Sequence, residues 1–91
     1  MSVLVEVPSQ LFPDCDGLSE IHLSASTVRS MLEQLEAEYP RLYRRVCDET
    51  GSVRRHVNLF VNTSLVRGQA GLDTALAPGD VVAIMPAVSG G

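Results

Sequence analysis

Hydrophobic and polar positions alternate near both ends of the chain and recur at helical spacing in its middle. From Ser2 to Val7, Val3, Val5 and Val7 fall on one side and Leu4 and Glu6 on the other. This predicts a strand of β-branched residues that Pro8 ends. Leu11 to Gly17 is dense in turn formers and reads as a loop, with Cys15 inside a polar turn between Asp14 and Asp16. Ser19 to Ser24 alternates again, Ile21 and Leu23 pointing inward and Glu20 and His22 outward, so the two strands are expected to form an antiparallel hairpin. Val28, Met31, Leu32, Leu35 and Tyr39 then recur at i, i+3, i+4, i+7 and i+11. That single apolar stripe predicts a helix over 28–39, capped by Ser26 or Thr27 and stopped by Pro40. Arg41 to Val46 is read as a further short helical turn.

The second half returns to strand pattern. After a loop at 48–52, residues 53–62 place Val57, Leu59 and Val61 on one face and His56, Asn58, Phe60 and Asn62 on the other. Residues 65–67 form a short strand, 68–71 a loop, 72–76 a single helical turn, and Pro78-Gly79-Asp80 a tight turn. Val81 to Met85 is a nearly continuous apolar run, expected as a central strand buried on both faces or nearly so. Val82 and Ile84 share one of its faces, Ala83 and Met85 the other. The order β-β-α-β-β-β predicts an α+β fold, with one main helix packed across a mixed sheet. The first and last strands should lie parallel and adjacent, joined through a right-handed crossover.

Composition narrows the function classes. Ninety-one residues make one domain, and a formal charge of −4 argues against a nucleic-acid binder. No apolar run reaches the roughly 18 residues that a membrane helix needs, and no basic leader precedes an apolar segment, so a cytoplasmic protein is expected. All seven basic residues are arginine, so no lysine is present through which copies of the chain could be linked to one another. Cys15 and Cys47 match neither a redox nor a zinc spacing and are expected as unpaired thiols, with no metal site.

The end of the sequence carries the chemistry. The domain is expected to span 1–86, and 87–91 to form a tail, Ala87-Val88-Ser89-Gly90-Gly91. Gly90 and Gly91 lack Cβ atoms, so a terminal carboxylate there can pass through a channel that any side chain would block. Five extended residues reach about 17 Å, enough to enter another protein's active site. Read alone, a Ser-Gly-Gly end is equally a frayed terminus.

The run from Gly79 to Gly91 resembles the closing pattern of the ThiS/MoaD family of sulfur carriers, small β-grasp proteins related in fold to ubiquitin. The shared features are Gly-Asp, an alternating apolar strand, proline, small residues and Gly-Gly. Ile84 stands where an aromatic is common in molybdopterin-type members, and Ala87 where they often have a second proline. The stretches 57–62, 66–67 and 72–76 are similar to the actinobacterial cysteine-forming carriers of the CysO type.

The resemblance implies a carrier protein and not an enzyme, with no cofactor of its own. A ubiquitin-activating-type enzyme would use ATP to adenylate the Gly91 carboxylate, and sulfide or a persulfide would displace AMP to leave a thiocarboxylate. A synthase would accept the sulfur, for cysteine first and alternatively for thiazole, molybdopterin or secondary metabolites. A metal-dependent peptidase would release the amino acid in the cysteine-forming case. Val88, Ser89 and Gly90 would form the stalk. Phe60, Ala83 and Met85, together on the outer sheet face if the third and fifth strands are neighbours, would dock on the adenylating enzyme. The alternative is a ubiquitin-like modifier conjugated through Gly91 to target lysines.

Overall fold

The computed structural model describes residues 2–86. Five strands form one sheet: β1 (Val3–Glu6), β2 (Glu20–Leu23), β3 (Val57–Val61), β4 (Ser64–Leu65) and β5 (Val81–Pro86), in the spatial order β2-β1-β5-β3-β4. β1 and β2 pair antiparallel, β1 and β5 parallel, and β5 and β3 antiparallel. The β5 strand therefore occupies the centre, as the apolar run at 81–85 predicts. The parallel pairing of the first and last strands requires a crossover, which the helices α1 (Val28–Glu38) and α2 (Pro40–Val46) supply.

The core lies between the helices and one sheet face. Val3, Val5, Val7, Ile21, Leu23, Val57, Leu59, Val61, Val82 and Ile84 are buried from the strands, and Val28, Met31, Leu32 and Leu35 from the stripe of α1. Thr27 caps α1 in a reciprocal arrangement. Its Oγ1 accepts from the Ser30 N–H at 3.0 Å, and the Ser30 Oγ accepts from the Thr27 N–H at 3.0 Å. Two backbone donors that a helix start leaves orphaned are thereby satisfied. Pro40 ends α1 and also begins α2, since the first position of a helix needs no N–H.

Four expectations need correction. Residues 9–15 form a 3-10 helix that buries Leu11 and Cys15, so Cys15 belongs to the core and not to a polar turn. A thiol behaves as a small hydrophobe, and its Sγ donates to the Leu18 carbonyl at 3.2 Å. The short helix after β4 is α3 (Gly68–Gly71), one segment earlier than expected, while Ala75 forms a bridge with Thr27. Gly71 permits this placement: a Cβ there would stand 2.9 Å from Val66 Cγ1 and 3.3 Å from the Val66 carbonyl carbon. The β5 strand is buried on one face only, because Val82 and Ile84 face the helices while Met85 on the other side is 52% exposed. Strand β3 is also shorter than 53–62. Val53 bridges Cys47 separately, and the Val57 N–H donates back to the Arg54 carbonyl at 3.0 Å, a turn that precedes the strand.

Candidate functional site: the open sheet face and the root of the C-terminal segment

The face of the sheet opposite the core can be read off the strand registers. Phe60 is paired with Ala83 of β5 on one side and with Leu65 of β4 on the other. Ala83 is paired in turn with Glu6 of β1, and Glu6 with Glu20 of β2. One cross-sheet row therefore runs Leu65, Phe60, Ala83, Glu6, Glu20, apolar at the β4 side and acidic at the β2 side. A second row pairs Met85 with Asn58, and a third carries Val81 and Leu4 on to His22. Facing residues in a pleated sheet lie on the same side, so Phe60, Ala83 and Met85 do share the outer face. Phe60 and Ala83 are half-buried within it, and Met85 is exposed.

Leu65 was not among the residues that alternation singled out, because a two-residue strand has no readable period. The signal was present in the turn. Asn62 adopts φ +56° and the β3–β4 connection is the two-residue turn Asn62-Thr63, which fixes Val61 opposite Ser64 and hence Leu65 opposite Phe60. Asn62 also ties this hairpin to the start of β5. Its backbone N–H donates to the Val81 carbonyl at 2.7 Å, and its side-chain oxygen accepts from the Val81 N–H at 3.1 Å. Its amide group reaches Asp80 at 3.3 Å, whose other carboxylate oxygen accepts from the Ala77 N–H at 2.9 Å. The tight turn at Gly79, where φ is +87°, is closed by these bonds.

At the far end of β5, Pro86 is paired with Val57. A proline donates no hydrogen bond, so it suits the last position of a strand better than its middle. The sites expected at Val88, Ser89, Gly90 and Gly91 lie outside the described residues. What the fold does establish is where that segment is attached. It follows directly from the central strand, flanked by β1 and β3, with Met85 one residue before its root.

The cysteines are placed where they are chemically quiet. Burial pushes the Cys15 thiol above its ordinary value. Burial raises Cys47 further, to about 11, against a smaller opposing hydrogen bond with Tyr43. A thiolate is the reactive form of cysteine, and neither thiol supplies it at neutral pH. Among the described residues, no group of three or more His, Cys, Asp or Glu is arranged to hold a metal ion, and no helix is long and apolar enough to cross a membrane.

A mixed sheet of order β2-β1-β5-β3-β4, grasping one main helix and ending in its central strand, defines a ubiquitin-like β-grasp protein. Residues 12–91 match the ThiS family, and the chain belongs to it. The sulfur carrier protein CysO of Mycobacterium tuberculosis is 40% identical over 93 residues, the match covering all of both chains. Its crystal structure superposes with a TM-score of 0.84 at 39% identity, over 94% of this chain and 99% of that one. The Amycolatopsis orientalis BexX/CysO complex contains a chain that superposes with a TM-score of 0.87 at 29% identity, over 98% and 99% of the two chains. Small archaeal modifier protein 3 of Haloferax volcanii is 42% identical over 66 residues, covering 72% of this chain and 71% of that protein.

Proposed function

We propose that this chain is a sulfur carrier whose Gly91 carboxylate is activated as an acyl-adenylate, converted to a thiocarboxylate and presented to a biosynthetic enzyme, with cysteine formation as the preferred destination. The observation that carries the reading is the full-length 40% identity to a protein named as a sulfur carrier. The chemistry requires nothing catalytic from the carrier. A carboxylate resists nucleophiles because its charge is delocalised and its leaving group would be oxide. Attack of the Gly91 carboxylate on the α-phosphorus of ATP, in the partner's site, would expel pyrophosphate and install AMP as a better leaving group. Hydrosulfide would then add to the carbonyl carbon and expel AMP, leaving sulfur in place of one carboxylate oxygen. Gly90 and Gly91 suit the narrow channel that such a reaction needs, and Ser89 and Val88 supply length.

The open sheet face fits the docking role in this scheme. Phe60, Ala83 and Met85, now with Leu65 beside them, form an apolar surface next to the root of the tail, where the adenylating enzyme would have to hold the domain. The chain would work with that enzyme, with a sulfur-accepting synthase and, in the cysteine branch, with a metal-dependent peptidase.

A second reading, conjugation through Gly91 to lysines of other proteins, is favoured by the match to a protein named as a modifier, which spans less of the chain than the carrier match does. Isotopically labelled sulfide decides between the two. Label passing through the activated carrier into free cysteine, in the presence of the synthase and peptidase, is the expected outcome. Label retained nowhere, alongside high-mass conjugates of the chain in cells, would replace the carrier reading with the modifier one.

A further inference from the structure

Arg44 and Arg45 close the last turn of α2, and Arg54 and His56 approach them from the segment ahead of β3. The four side chains line one cleft of about 270 Å³. Arg55, between the two latter residues in sequence, is exposed. A chain of net charge −4 thus gathers three of its seven arginines around one cleft. The helix end accounts for part of this. Cations at a C-terminal turn offset the helix dipole, and the Arg54 Nε donates to the Arg44 carbonyl at 2.9 Å, satisfying one of the carbonyls the helix leaves open.

It does not account for the rest. Arg45 lies 3.5 Å from Asp14, which also meets Arg41 at 4.0 Å. Arg44, Arg54 and Arg55, by contrast, have no carboxylate within ion-pair distance among the described residues. Glu36, Asp48 and Glu49 line the adjoining cleft with Arg44 and Arg54, none of them within ion-pair distance of either arginine, and the Asp48 carboxylate is committed to its own loop. It accepts from the Thr50 N–H at 2.8 Å, the Thr50 hydroxyl at 2.5 Å and the Ser52 N–H at 3.2 Å. The location of the cluster is the informative part. Because Val57 is paired with Pro86, His56 and the residues before it stand at the end of the sheet from which residues 87–91 continue.

We infer that the Arg44, Arg45, Arg54 and His56 cluster is a second docking contact, taking an acidic patch beside the channel through which the adenylating enzyme admits the tail. This rests on the carrier reading, since it assigns the cluster to the enzyme that receives Gly91. Charge at such a rim steers encounter more than it adds affinity, and it orients the tail towards the channel. A polyanion such as nucleic acid is the poorer occupant, because the remainder of the chain is acidic and would repel it.

The experiment is the association rate of the full chain with the ubiquitin-activating-type enzyme of the same organism, measured by stopped flow across a series of sodium chloride concentrations. Arg44 is the residue to reverse, since its side chain makes no hydrogen bond or ion pair among the described residues. Arg44→Glu should slow association at low salt by about tenfold and flatten its salt dependence. The same charge reversal at Arg29, at the other end of the helical segment, should change the rate less than about twofold by the same principle. Adenylation kcat at saturating carrier should be unchanged in both. Equal behaviour of the two variants, or a wild-type rate indifferent to salt, overturns the assignment. A chain lacking Gly91 should keep the salt-dependent rate while losing adenylation, so failure of the docking contact and failure of the carrier reading are read separately.

Discussion

Phe60 stands directly opposite Ala83 across the β3–β5 ladder, on the sheet face turned away from the helices. The small Ala83 side chain leaves the ring only half covered, and Leu65 flanks it from the other strand. An aromatic held in this way is positioned by its neighbours and still available to a partner. Met85, two residues along β5 from Ala83 and 52% exposed, extends the same surface towards the end of β5.

Substitution at this face should separate docking from folding. Met85→Ser removes an exposed side chain and should alter stability by no more than about 0.5 kcal/mol. It should weaken the complex with the adenylating enzyme about tenfold, or about 1.4 kcal/mol. Phe60→Ser should weaken binding at least as much, with a stability cost of about 1–2 kcal/mol from the lost cross-strand contacts. Isothermal titration beside thermal melts checks both. Unchanged affinity in Met85→Ser would remove the docking role from this face.

The helix cap gives a purely structural prediction. Thr27→Ala deletes the acceptor for the Ser30 N–H and should cost about 1 kcal/mol. For a domain of this size that lowers the thermal midpoint by about 4–8 °C. Adenylation of Gly91 at temperatures well below the midpoint should be unaffected, since the cap is remote in role from the tail. A midpoint unmoved by the substitution would show that the reciprocal Thr27–Ser30 pair is not holding α1.

Cys47 predicts an alkaline limb of the stability curve. Its folded value is raised from 9.0 to about 11 by burial, so the unfolded chain loses this proton first as pH rises. The sign follows directly: the stabilisation is complete below the unfolded value and is lost between it and about 11. The midpoint of the wild type should therefore fall through this window, and that of Cys47→Ala should fall less steeply from its lower starting point. In the native protein at neutral pH, thiol reagents should label Cys15 and Cys47 slowly, and rapidly once denaturant is added. Fast native labelling would mean that the two thiols are not enclosed as described.

Much of this was legible in the sequence because each element had a period or a stop. Val3-Val5-Val7 and Val57-Leu59-Val61 declared their inner faces by alternation, and Val28, Met31, Leu32 and Leu35 declared theirs by helical spacing. The central position of β5 followed from an unbroken apolar run. The same run overstated burial, since Val81, Ala83 and Met85 are apolar for a surface and not for the core. What was not legible depended on contacts distant in sequence. Cys15 sits between two aspartates, and only its packing within a 3-10 helix shows that it points inward. The gathering of Arg44 and Arg45 with Arg54 and His56 needs the turn that folds the start of β3 against the end of α2. Local pattern does not encode it.

The most direct test of the central claim is the intact mass of the purified chain after incubation with the adenylating enzyme, ATP and sulfide. The carrier account predicts a mass increase equal to replacement of one oxygen by sulfur, confined to the C-terminal peptide and absent when Gly91 is deleted. A wild-type chain that stays at its original mass, while the same enzyme preparation forms a thiocarboxylate on another carrier, would contradict it.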